Sequence, residues 1–160
     1  MTTRIGFGYD VHAFAADRSL ILGGIPIPYE MGLAGHSDAD AVIHAIVDAL
    51  LGAAALGDIG THFPSNDPRW KNQPSTIFLS YTNDLLQQHG WQIGNIDVTI
   101  VAERPKLSPY ILAMREHLAE HLRLDLGQIS VKATTTDGLG FTGRREGIAC
   151  YAVALVLFQS

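Results

Sequence analysis

Gly35-His36-Ser37-Asp38-Ala39-Asp40-Ala41-Val42-Ile43-His44-Ala45-Ile46-Val47-Asp48 reads as the start of a helix that carries chemistry along one side. Ser37 followed three residues later by Asp40 predicts an N-cap with a capping-box partner. Asp40, His44 and Asp48 recur every four residues and so fall on one face, with His36 leading in from the capping loop. Val42, Ile43, Ile46, Val47, Leu50, Leu51 and Ala54 make the opposite face, the kind that packs on a core. A single imidazole on a helix does not complete a metal site, so its partners must come from elsewhere.

Those partners are expected near the N-terminus. Arg4 to Tyr9 predicts a short strand that delivers Asp10-Val11-His12, and in an extended backbone the Asp10 and His12 side chains point the same way. With His44 they give two imidazoles and one carboxylate. That set suits zinc with a fourth position open to water or substrate, which means catalysis rather than scaffolding. An isolated Asp-x-His is a common turn sequence. The company of His36, Asp38, Asp40, His44 and Asp48 beside an apolar helix face favours the metal reading over it.

Composition bounds the rest. The chain has 160 residues, 47% hydrophobic and 17% charged, so residues 1–160 are expected to form a single packed domain. A formal net charge of −5 gives no footprint for nucleic acid or an anionic membrane, so an anionic ligand must be gripped locally. Cys150 is the only cysteine, which excludes an internal disulfide and a Cys-based zinc finger. Met1 to Gly6 lacks a signal-like apolar block and no run has transmembrane length, so a cytoplasmic location is expected.

Ser19 to Pro28 predicts two short strands joined at Gly23-Gly24. Ser75 is expected to cap a second helix that turns Ile77, Phe78, Tyr81, Leu85 and Leu86 inward and ends at Gly90. Ile96, Val98, Ile100 and Ala102 alternate as in a half-buried strand, which leads into Glu103-Arg104-Pro105-Lys106-Leu107. Ser108-Pro109 starts a third helix carrying Ile111, Met114 or Arg115, Leu118 and Leu122. Ile129 to Ala133 predicts a strand running into Thr134-Thr135-Thr136-Asp137-Gly138-Leu139-Gly140-Phe141-Thr142-Gly143-Arg144, which by itself reads first as a strand ending in a flexible turn, although its hydroxyls and open backbone amides also suit phosphate oxygens. Ile148 to Phe158 reads as a strand buried on both faces or lying at a subunit contact. The fold class is α/β (α+β), a small mixed β-sheet packed on about three helices.

Taken together, several motifs resemble the 2-C-methyl-D-erythritol 2,4-cyclodiphosphate synthase family of the non-mevalonate isoprenoid pathway. They are Gly8-Tyr9-Asp10-Val11-His12, Gly35-His36-Ser37-Asp38-Ala39-Asp40, Leu51-Gly52-Ala53-Ala54-Ala55-Leu56-Gly57-Asp58-Ile59-Gly60, Pro105-Lys106, and Val131-Lys132-Ala133-Thr134-Thr135-Thr136 with Gly140-Phe141-Thr142-Gly143-Arg144. They occur in matching order from Arg4 to Leu157. The resemblance implies an intramolecular phosphoryl transfer. The 2-phosphate of 4-diphosphocytidyl-2-C-methyl-D-erythritol 2-phosphate attacks its own β-phosphorus, releasing CMP and closing a cyclic diphosphate. Such a phosphorus-oxygen lyase works by positioning and charge neutralisation.

By position, the resemblance makes Asp10, His12 and His44 the zinc ligands, with His36 and Thr135 catalytic. It places a second divalent cation, magnesium or manganese, at Asp137, where the family has a longer glutamate. The methylerythritol end of the substrate falls to Ser37, Asp58, Ile59 and Gly60, and to a mobile loop of Phe63, Pro64, Ser65, Asn66 and Asp67, with Ser65 standing where an acidic residue is common. The cytosine pocket falls to Ala102, Glu103, Arg104, Pro105, Lys106 and Leu107, and the diphosphate to Thr134, Thr135, Thr136 and Asp137. Phe141 and Arg144 match further ligand-contacting positions. The resemblance also implies a homotrimer with sites between subunits and sheets facing a central cavity. There an isoprenoid diphosphate could meet Arg144, with Tyr151 where glutamate is frequent. Two other readings compete. A non-haem iron oxygenase uses the same ligand types, on barrels rather than beside about three helices. A trimeric ligand-binding protein with a structural metal needs a fourth ligand such as His62 or Cys150.

Overall fold

A computed structural model describes residues 1–159. In chain order it contains β1 (Thr3–Ala15), β2 (Leu20–Leu22), β3 (Ile25–Ile27), β4 (Gly32–Leu33), α1 (Ala41–Ala53), the single turn α2 (Ile59–His62), α3 (Thr76–Gln88), β5 (Trp91–Val101), α4 (Ile111–Leu122), β6 (Ile129–Thr134), the single turn α5 (Gly140–Gly143) and β7 (Gly147–Phe158). Five strands form one mixed sheet in the order β4-β1-β7-β5-β6, while β2 and β3 make a separate hairpin. Both β1 and β5 pair antiparallel with β7, whereas β5 and β6 run parallel and need a crossover, which passes through α4.

The helices cover one face of this sheet. α1 lies on β1 and β7, and α3 packs on α1. The α1–β1 contact is close because β1 has no side chain where the helix crosses it. A Cβ at Gly6 or Gly8 would lie 1.9 Å from the Ala49 or Ala45 carbonyl oxygen. Alternation then sets β1: Gly6 and Gly8 face the helix, while Ile5 (74% exposed) and Phe7 (61%) face away with Tyr9 and Val11. α1 is buried nearly all round rather than on one face. Only His44, Asp48 and Gly52, spaced four apart, escape full burial.

Two sequence expectations shift. The N-cap of α1 is Asp40, not Ser37, and its carboxylate accepts the Ile43 amide at 3.1 Å. Asp40 therefore precedes the helix instead of sharing a face with His44. The inward face of α3 is Phe78, Leu79, Thr82, Asn83 and Leu86, with Ile77 and Tyr81 about 40% exposed or more. An apolar-only pattern misplaces this face because Thr82 and Asn83 are buried with satisfied hydrogen bonds, to Phe78 and Leu122 carbonyls. β7 is buried on its helix side through Ile148, Cys150, Ala152, Ala154 and Val156, yet Tyr151 and Val153 stand open on the other.

Candidate active site

Placing Asp10 and His12 two and four residues beyond Gly8 on β1, and His44 one residue before Ala45 on α1, puts three donors where helix and strand touch. His12 Nε2 lies 2.8 Å from Asp10 Oδ2, His44 Nδ1 lies 3.1 Å from the same oxygen, and the two nitrogens are 3.3 Å apart. Ligands about 2.0–2.1 Å from a tetrahedral ion stand about 3.3 Å from one another, so the spacing fits such an ion. Among the described residues this is the one gathering of three or more His, Cys, Asp or Glu side chains that could hold a metal.

The outer contacts of each imidazole fix which nitrogen is free. His12 Nδ1 donates to the Ala34 carbonyl at 2.7 Å, which leaves a lone pair on Nε2. Ser75 donates its hydroxyl to the Asp38 carboxylate, so its oxygen accepts from His44 Nε2 at 2.9 Å, which leaves a lone pair on Nδ1. Both imidazoles therefore aim lone pairs at the Asp10 carboxylate, an arrangement that calls for a cation or a proton between them. Burial opposes charge at both Asp10 and His12. With a proton in that gap, the hydrogen bonds and opposite charges linking the histidines to Asp10 outweigh it, so Asp10 lies below its ordinary value and His12 above. Sequence spacing places Asp38 in the acidic cluster and Ser75 at a helix start, but only the fold joins the two to His44.

Beside the triad, His36, Ser37, Ile59, Gly60, Phe63 and Ser65 line one cleft together with His12 and His44. Trp70 and Phe78 complete its walls, the two having gone unassigned as site residues from sequence. Asp58 caps α2, accepting the Thr61 amide at 2.8 Å, and Asp48 holds the same turn by accepting the Ile59 amide at 2.7 Å. His36 Nε2 donates to the Asp67 carbonyl at 3.1 Å, and the Asp67 carboxylate pairs with Arg69. Pro64 and Asn66 lie in the same loop without lining the cleft.

A second cleft is formed by Ala102, Glu103, Arg104, Pro105, Lys106 and Leu107 with Thr134 and Thr135, at the ends of β5 and β6. The two clefts share no lining residue. Asp137 is exposed and accepts from the Thr135 hydroxyl at 3.4 Å, while Thr136 turns inward to the Leu139 carbonyl and the Thr142 hydroxyl. Phe141 is 38% exposed, and Arg144 pairs with Glu146 at 2.7 Å. His62 and Cys150 do not join the triad: His62 Nε2 is bonded to the Leu56 carbonyl at 2.8 Å, and Cys150 is buried in β7.

Asp40 ties the triad's scaffold together. Its carboxylate accepts the Gly23 and Gly24 amides at 2.9 and 2.6 Å as well as that of Ile43, joining the β2–β3 hairpin to the start of α1. Burial and the nearby Asp38 charge raise it to about 6, against the pull of the Gly24, Ile43 and Gly23 amides. A carboxyl raised on folding contributes stability that is full below its unfolded value near pH ~4 and is lost as pH rises through the folded value. Relative to Asp40→Asn, the metal-free protein is therefore expected to lose on the order of 3 kcal/mol between pH 4 and 6 and nothing further above. Urea unfolding at pH 4, 5, 6 and 7 measures this; parallel profiles for the two proteins would refute it.

A model of the YgbB family matches residues 3–157. A protein from a Nostoc species named 2-C-methyl-D-erythritol 2,4-cyclodiphosphate synthase is 57% identical over 98% of this chain and 95% of its own length. Among solved structures, the bifunctional IspDF of Campylobacter jejuni superposes with a TM-score of 0.96 at 42% identity, over 99% of this chain; this chain spans 43% of that protein. A CDP complex of Plasmodium falciparum IspF superposes with a TM-score of 0.87 at 37% identity, over 99% of this chain and 97% of that one.

Proposed function

We propose, for a chain that belongs to the YgbB family of 2-C-methyl-D-erythritol 2,4-cyclodiphosphate synthases, a division of labour among the residues of its two clefts. The protein is an enzyme, and its reaction joins a 2-phosphate oxygen to the β-phosphorus of 4-diphosphocytidyl-2-C-methyl-D-erythritol 2-phosphate as the bond from that phosphorus to CMP breaks. The observation that carries the assignment is the convergence of two imidazole lone pairs and one carboxylate on a single point beside His36.

Asp10, His12 and His44 hold zinc, which when bound polarises a phosphoryl oxygen as a Lewis acid. His36, its ring anchored through Nε2 to the Asp67 carbonyl, orients the attacking phosphate. Thr135 meets the charge that develops at the diphosphate, with Thr134 and Thr136 beside it. Asp137 contributes a carboxylate oxygen to magnesium or manganese. Asp58, Ile59 and Gly60 take the methylerythritol hydroxyls, with Ser37 and the loop from Phe63 to Asp67 closing over them. Ala102 to Leu107 receive cytosine.

The separation of the two clefts supports a homotrimer in which each site pairs the triad of one protomer with the cytosine pocket of its neighbour. The open apolar face of β1 and β7 supports the same assembly, since a patch of Ile5, Phe7, Tyr9, Val11, Tyr151 and Val153 favours burial. An isoprenoid diphosphate in the resulting cavity would share Arg144 with Glu146. No helix among the described residues is long and apolar enough to cross a membrane, which suits work in the cytoplasm.

The test is CMP release from 4-diphosphocytidyl-2-C-methyl-D-erythritol 2-phosphate, with phosphorus NMR identifying the second product, with and without chelator. CMP and a cyclic diphosphate, both lost on chelation, are expected. A folded, zinc-loaded protein that releases no CMP would leave the metal reading without its chemistry.

A further inference from the structure

Each backbone carbonyl from Ala34 to Ser37 has a donor, and two of the four donors come from one side chain. Ala34 accepts from His12 Nδ1 at 2.7 Å, and His36 accepts from the Asn72 amide at 2.9 Å. The carbonyls on either side of His36 are both taken by Arg18: Nη1 donates to Gly35 at 2.8 Å and Nη2 to Ser37 at 2.7 Å. We propose that Arg18 is a positioning residue for the reaction, its guanidinium clamping the two carbonyls that flank His36 and so fixing that imidazole in the cleft. The inference rests on the role assigned to His36.

The chemistry suits arginine alone among the cations. A guanidinium presents several N–H donors in one rigid plane and can span two acceptors, whereas an ammonium is a single point on a flexible stem. The clamp is itself seated. Asp17, with φ of 59°, turns the chain sharply just before Arg18. Gly32 lets the start of β4 lie against the Arg18 backbone, where a Cβ would come within 2.6 Å of the Arg18 carbonyl oxygen. Ser37, whose carbonyl Arg18 holds, also has its hydroxyl 3.2 Å from His44 Nε2, so the clamped loop borders the triad directly.

Steady-state kinetics of the zinc-loaded enzyme test this. Arg18→Ala is expected to lower kcat about 10- to 100-fold, the scale of a misplaced catalytic group, with KM and zinc content little changed. Free guanidinium at millimolar concentration should restore part of that loss and none of the loss in His36→Ala. Arg18→Lys keeps the charge but reaches one carbonyl, and should stay folded while losing about tenfold in kcat. If Arg18 acts through His36, adding Arg18→Ala to His36→Ala should change kcat by less than about twofold. Wild-type kcat in Arg18→Lys, or losses that multiply in the double variant, would overturn the clamp. Wild-type kcat in His36→Ala would instead overturn the role given to His36.

Discussion

The His44→Ala variant is expected to lose its metal and its turnover while staying folded. His44 supplies one of only three protein donors, and the two that remain, both on β1, leave a bidentate site that a modest chelator strips. Turnover should fall by more than about 10³-fold, since an interaction of several kcal/mol with developing charge disappears. The structural cost is smaller. The side chain is partly exposed, and truncation removes the ring's contacts with the Ser37 and Ser75 hydroxyls while Ser75 keeps its bond to Asp38 and Ser37 still accepts the Ala39 amide, a loss of about 1–2 kcal/mol that entering water offsets. Metal content after gel filtration, CMP release and thermal unfolding on the same preparation decide the matter. Unchanged zinc content would sink the ligand assignment.

Gly8→Ala should have the largest effect on stability. The added Cβ would sit 1.9 Å from the Ala45 carbonyl oxygen and 2.9 Å from the Ala49 amide nitrogen, both backbone atoms of a buried helix that has no side chain to swing aside. Strand and helix must part by roughly 1 Å, and overpacking on that scale costs about 3 kcal/mol or more. Because the displaced contact also sets His44 against Asp10 and His12, surviving enzyme should lose about 10²-fold in turnover. Gly52→Ala is the control of opposite sign. Nothing lies within 4 Å of that Cβ, and a helical glycine replaced by alanine gains up to about 1 kcal/mol. Denaturant midpoints of the two variants that moved in the same direction would contradict this account of the interface.

What could be read from the chain alone follows from how local each cause is. Alternation in β1 already put Asp10 and His12 on one side, and the four-residue stripe already put His44 and Asp48 on the open line of α1. These depend on backbone period alone. Asp40 was misread because a capping pattern does not say which of two candidate oxygens is closer to the free amides. The hairpin at Gly23-Gly24, to which no chemistry had been assigned, decides it by offering two more donors. The inner face of α3 was misread because Thr82 and Asn83 are acceptable in the core only through carbonyls that the sequence does not display. Arg18, Asp38 and Ser75 share that reason: their work is done on partners 17 or more residues away.

The strand order has a consequence for how the chain comes to be folded as it is made. β7, the last of the described strands to be synthesised, lies in the middle of the sheet and is paired with β1 from Thr3↔Leu157 to Ala13↔Gly147. Until it emerges from the ribosome, β1 has only the two-residue β4 beside it, and β5 has only β6. Two unpaired strand edges then wait together, the condition in which nascent chains self-associate or engage holding chaperones. Contacts of such long sequence separation also form slowly. Trimming the end of this chain by the length of β7 would thus split its sheet in two rather than shorten it.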